Sequence, residues 1–137
     1  MSADALDRAL AEAEARGRQR VAEILADPDM LTREQFAAAL AVPPETVDHW
    51  RVNFAVLWLR DGDTIRYPKW QLTDQGTIPP GFAELYLRED FQPWTLYRHL
   101  LQHHPELDGK TGLEVVRAGS WRAFAKMLDS INQGDFA

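Results

Sequence analysis

Thr46, His49 and Arg51 follow a Pro43-Pro44 pair closely enough to share one helix. A hydroxyl, an imidazole and a guanidinium so grouped can reach base edges or phosphates from a helix lying in a DNA groove. Arg60, Arg66 and Lys69 lie on or beside an Asp61-Gly62-Asp63 turn. Cations on a hairpin can touch phosphates, and a solvated charged hairpin explains them equally well. His99 and His103 stand at i, i+4, a spacing that can hold a metal from one helix face. No catalytic Glu adjoins them, and His104-Pro105 reads as a helix end, where imidazoles favour the negative end of the dipole. No metal site is therefore expected. Carboxylates are spread without pairing, and no glycine-rich loop has P-loop or dinucleotide spacing. With no cysteine there is no thiolate and no disulfide. Neither an enzyme nor a cofactor is expected.

Composition sets wider bounds. A chain of 137 residues, 45% of them hydrophobic, can bury a core without staples. No segment approaches the roughly 18–20 apolar residues of a membrane span, and the start of the chain is charged and amphipathic. The expected location is cytoplasmic, with no membrane partner. Net charge is −6, so no global field draws the chain to nucleic acid. Residues 1–29 carry seven acids and four bases, residues 73–137 nine and six, and residues 30–72 five of each. The middle third is the least repulsive to phosphate.

The elements that must position these residues follow from periodicity and punctuation. Leu6, Leu10, Ala13, Gly17, Val21 and Ile24 recur at steps of three and four, predicting a helix over residues 3–27. Its thin stripe is expected to lie over the body as a lid, pairing with a second copy being the alternative. Thr32 and Gln35 form a capping box for a second helix with Phe36 and Leu40 inward. Pro43 and Pro44 then open a third, where a missing amide hydrogen costs nothing, with Val47, Trp50 and Phe54 inward. Two short helices with a tight connection make a helix-turn-helix candidate. Strands at 56–60 and 64–67 around the Asp-Gly turn predict a hairpin, the position of a wing. Further helices are expected from Pro80 to Glu89, from Gln92 or Pro93 with Trp94, Tyr97, Leu100 and Leu101 inward, and from the Thr111/Glu114 capping box to Gly119. A last helix carries Trp121, Phe124, Met127, Leu128 and Ile131. All five tryptophans are expected to pack in the core, not to stack on bases.

Several runs resemble the toxin-binding domain of the Xre/MbcA/ParS antitoxins over about residues 32–132. They are Arg66-Tyr67-Pro68-Lys69-Trp70-Gln71-Leu72, Gln75-Gly76-Thr77-Ile78-Pro79, Trp94, and above all Leu107-Asp108-Gly109-Lys110-Thr111-Gly112-Leu113-Glu114 with Arg117-Ala118-Gly119. The resemblance implies a C-terminal module that docks on a partner toxin through Leu107, Asp108, Gly109, Lys110, Thr111, Leu113, Glu114 and Arg117. It also implies a helix-turn-helix that binds operator DNA, usually as a dimer. Two departures stand out. Gly112 replaces a usual proline and is expected to loosen the docking edge. Pro44, Glu45 and His49 replace basic or amide positions, and Glu45 and Asp48 are expected to face a polyanion, which weakens the phosphate contribution to affinity.

The sequence thus predicts a mainly α fold. An N-terminal helix (1–29) precedes a helix-turn-helix with a β-hairpin wing (30–72) and a helical partner-binding module (73–137). The expected function is an antitoxin-like regulator that binds a partner toxin, with operator DNA bound weakly or as a homodimer. The alternative is a solo interaction module, such as a phage-borne inhibitor or an adaptor of a host protein, that has lost DNA binding.

Overall fold

A computed structural model describes residues 2–134. The fold is mainly helical, with seven α-helices and one small sheet among the described residues. Helix α1 (Ala3–Leu25) leads to strand β1 (Met30–Leu31), and α2 (Arg33–Leu40) and α3 (Pro44–Val52) form the helix-turn-helix. Strands β2 (Leu59–Asp61) and β3 (Thr64–Pro68) make the hairpin, followed by a 3-10 turn at Lys69–Gln71. The rest comprises α4 (Phe82–Arg88), α5 (Pro93–Leu101), α6 (Gly112–Arg117) and α7 (Trp121–Gly134).

Both predicted capping boxes form: Thr32 Oγ1 accepts from the Gln35 amide, and Thr111 Oγ1 from the Glu114 amide, with each N3 side chain reaching back. Prolines open α3 and α5 as expected. The turn between α2 and α3 is tight because Ala41 adopts a left-handed conformation (φ 56°), letting its amide and that of Val42 bond back into α2. Gly62 (φ 59°) fills the first loop position of the hairpin, where a side chain would be strained.

The sheet is antiparallel in the order β1-β3-β2, and β1 was not foreseen. Residues on its two faces go to different places. Leu31, Ile65 and Tyr67 join the main core, where Tyr67 stacks on Phe36 with ring centroids 5.1 Å apart. Leu59 and Met30 turn to the opposite face, with Leu25 of α1 and the flanks of Trp70, Trp94 and Tyr97. The main core runs from Phe36 to Leu128, so the helix-turn-helix and the C-terminal helices share it. The tryptophans all pack against one or both clusters.

Leu101, expected inward, is exposed, and Phe54 lies beyond the end of α3; four larger expectations also need correction. Residues 56–58 are not strand. Their backbone is held by side chains: Gln71 accepts from the Leu57 amide at 2.8 Å and donates to the Leu57 carbonyl at 2.9 Å. The Tyr86 hydroxyl donates to the Val56 carbonyl at 3.0 Å. A buried backbone group left without such a partner costs about 1–3 kcal/mol, so these side chains stand in for a missing neighbour strand. The helix expected from Pro80 begins at Phe82 instead, because Gly81 (φ 107°) turns the chain against the Trp121 ring, which an added Cβ would meet at 2.3 Å. The N-terminal helix is no lid. Residues of α1 up to Arg20 are exposed apart from half-buried Ala5, and only Val21, Ile24 and Leu25 reach the body. Gly112, finally, does not loosen its edge. An added Cβ there would sit 2.7 Å from the Phe124 ring, so glycine is what lets α6 approach α7.

Candidate nucleic-acid and partner-binding surfaces

The residues expected to meet DNA divide into an outward and an inward group. On α3, His49 is exposed and Thr46 half-buried. Asp48, between them in sequence, is engaged by Arg33 of α2: Nε and Nη2 of Arg33 donate to its two carboxylate oxygens, both at 2.8 Å. That fork holds the Asp48 carboxyl below its usual range and the guanidinium above its own. The expected repulsion between Asp48 and a polyanion is therefore offset inside the helix-turn-helix. Glu45 stays exposed, with Arg33 4.0 Å away.

Arg51 turns inward. Its Nε is buried without a hydrogen-bond partner, and its charge lies beside the Tyr67 hydroxyl. Burial pushes the Tyr67 phenol up, and Arg51 partly opposes that shift. The hairpin cations separate by strand alternation. Arg60 pairs across the ladder with Ile65, so both project from the face that packs on the helix-turn-helix. Arg66 pairs with Leu59 and projects from the other face, where its guanidinium donates to the Ile65 carbonyl at 2.9 Å. Lys69 lies at the base of the hairpin, its amide bonded to the Asp29 carbonyl. Thr46, His49 and Arg51 thus share α3, with Arg51 turned to Tyr67, whereas Arg60, Arg66 and Lys69 lie on the hairpin or at its base. The hairpin tip offers two exposed acids, Asp61 and Asp63, and little to a phosphate.

The expected docking edge is compact. Leu107 is buried, and Asp108 takes a left-handed conformation (φ 58°) that closes the turn after it. The His104 amide donates to the Lys110 carbonyl and the Gly109 amide to the His104 carbonyl, both at 3.0 Å. Thr111 and Glu114 spend their side chains on the cap, and Leu113 packs against the core. Arg117 reaches back to the Leu72 carbonyl at 2.7 Å and to Asp74 at 2.8 Å. Of the eight residues, Asp108, Gly109 and Lys110 are the free tip; the others build it.

The three histidines of the C-terminal half are each held by a partner within the fold. Nδ1 of His99 pairs with Glu89, Nδ1 of His103 with the Gly109 carbonyl at 2.8 Å, and Nε2 of His104 with the His99 carbonyl at 2.7 Å. Glu89 is buried, and burial holds its carboxyl above the ordinary range although His99 and Arg98 pull it down. Among the described residues no group of three or more histidines and carboxylates could hold a metal, and no helix is long and apolar enough to cross a membrane. Sequence reasoning missed Arg33 and Gln71. The first had a usable signal, an acid on the recognition helix within reach of a base at the start of the helix before it.

No family model and no curated protein matches the chain. Among solved structures it is similar to the NMR structure of Rv2175c, at 17% identity over 78% of this chain and 84% of that one, with a TM-score of 0.63. At that identity the likeness is one of fold.

Proposed function

We propose that the chain is a DNA-binding regulator of the antitoxin-like type, which reads operator DNA with α3 and holds a protein partner with the helices after the hairpin. One observation carries the DNA reading: α3 keeps Thr46 and His49 outward while its aspartate is engaged by Arg33. Arg60, exposed on the hairpin, is the cation expected to add a phosphate contact. The test is a salt-titrated binding assay against the DNA upstream of its own gene, with unrelated DNA as control. The expected result is sequence-preferring binding with a steep salt slope. Substituting Thr46→Ala with His49→Ala lowers the preference about tenfold or more. Arg60→Ala weakens binding to all sequences and flattens the slope by about one. Absence of binding at low salt overturns the reading.

For the partner, support comes from the Asp108-Gly109-Lys110 tip, a rigid, exposed turn of mixed charge. A toxin or host protein is expected to lose affinity to Asp108→Lys with Lys110→Glu, changes that leave the buried Leu107 and the half-buried Leu113 untouched. The second reading, an interaction module without DNA binding, is favoured by the exposed acids Glu45 on α3 and Asp61 and Asp63 at the hairpin tip.

A further inference from the structure

Helix α1 is the part of the chain whose apolar side chains lack an explanation. It is about 35 Å long at 1.5 Å per residue, and only its last turn touches the body through Val21, Ile24 and Leu25. Leu6 is 49% exposed and Leu10 54%. With Ala13 and Gly17 they recur at steps of four, three and four, the spacing of a two-helix seam. Nothing within 4 Å would meet a Cβ on Gly17, so the single chain gives no reason for a residue that ranks next to proline as a helix breaker. Beside Gly17 lies an open groove of about 500 Å³, lined by Glu14, Arg18, Val21 and the hairpin-tip Asp61.

We infer that α1 pairs with α1 of a second copy of this chain, in antiparallel orientation. Two independent features of the helix select that occupant and that direction. The first is size. Setting Leu6 against Gly17 of the second copy brings Leu10 against its Ala13, so each large side chain meets a small one and, by the two-fold axis, the reverse holds at the other end. The groove beside Gly17 then receives Leu6. The second is charge. Up to Glu14 the helix has four acids (Asp4, Asp7, Glu12, Glu14) against one base (Arg8); from Arg16 on it has three bases (Arg16, Arg18, Arg20) against one acid (Glu23). Antiparallel pairing lays the acidic half on the basic half, whereas parallel pairing lays like on like. A single helix pair of this length falls below the roughly 800 Å² per partner of a standard interface, so an equilibrium between monomer and dimer is expected. The inference does not depend on DNA recognition, and its test contains no DNA.

Sedimentation equilibrium of the full chain, from low to high micromolar concentration, is expected to show a monomer–dimer equilibrium. Leu6→Glu with Leu10→Glu raises the dissociation constant at least about tenfold, with the melting transition of the body retained because both positions are exposed. Direction is read by cross-linking, which is clean because the chain has no cysteine. A Leu10→Cys chain mixed with an Ala13→Cys chain and oxidised gives a disulfide-linked pair of the two variants. Three results overturn the inference: a monomer at every concentration, a dimer indifferent to the Leu6 and Leu10 changes, or a Leu10→Cys chain that links to itself in preference to the mixture.

Discussion

The helix-turn-helix and the C-terminal helices use the same local devices and spend them in opposite directions. Each has a helix opened by a reciprocal cap, Thr32 with Gln35 on α2 and Thr111 with Glu114 on α6. In α2 the residue after the cap is Arg33, whose guanidinium lies at the surface on Asp48. In α6 it is Gly112, reduced to a hydrogen so that the Phe124 ring can approach. Both regions also hold an acid–base pair, Arg33–Asp48 at the surface and His99–Glu89 with the carboxylate buried. One region holds its acid–base pair at the surface; the other turns its polar groups inward to fix a turn.

The sharpest way to break that contrast is at the residues after the caps. Gly112→Ala forces a methyl group into the Phe124 ring and is expected to destabilise the chain by about 2–3 kcal/mol in denaturant titration. The proline common in the resembling family brings the same Cβ and is expected to fare no better. A Gly112→Ala protein as stable as the parent would remove the close approach from the account.

The two acid–base pairs predict different pH responses. Since the folded-state pKa of Glu89 is raised, its contribution is fully present below the unfolded carboxylate pKa and is lost as pH rises through the folded value. Glu89→Gln should abolish that part of the stability profile. Asp48 is shifted the other way, so its contribution is present above the unfolded value and lost as pH falls through the folded one. A Glu89→Gln profile that matches the parent across this window counts against the buried carboxylate as its source.

Loss of either cap should cost about 1 kcal/mol by thermal or chemical denaturation, Thr32→Ala and Thr111→Ala alike. Unequal costs would show that tertiary packing, not the cap, holds one of the helices. The smallest stability effect is expected from Arg33→Ala, because the pair is solvent-exposed. Under the proposed DNA-binding function its readout is DNA affinity: uncovering Asp48 should weaken binding and do so more at low salt than at high salt.

Much of this fold was legible because its signals are local. Helical periodicity, two capping boxes, prolines at helix starts and an Asp-Gly turn each specify geometry within a few residues, and the helices they mark are present. What escaped reading depends on residues far apart in sequence. Strand β1 is only Met30 and Leu31, too short for any alternation, and exists because Pro68 and Tyr67 pair with it. Residues 56–58 have the composition of a strand, but Gln71 and Tyr86 occupy their backbone groups. Gly112 was misread because only Phe124, twelve positions on, explains it. At the candidate sites the residue types were legible and the directions were not. Whether Arg51 faces DNA or Tyr67, or Arg117 faces a partner or Leu72, is settled by packing.

The Gln71 side chain binds the two backbone groups of Leu57 as another strand would, and its amide also donates to the Pro68 carbonyl at 3.0 Å. The hydrogen of the Leu57 amide is therefore guarded by a rotatable side chain instead of a ladder. Its exchange with solvent deuterium should be as slow as that of the core helices so long as the 3-10 turn stays docked, and should quicken abruptly when that turn lifts. A single backbone proton would then report the docking of the hairpin on the rest of the molecule.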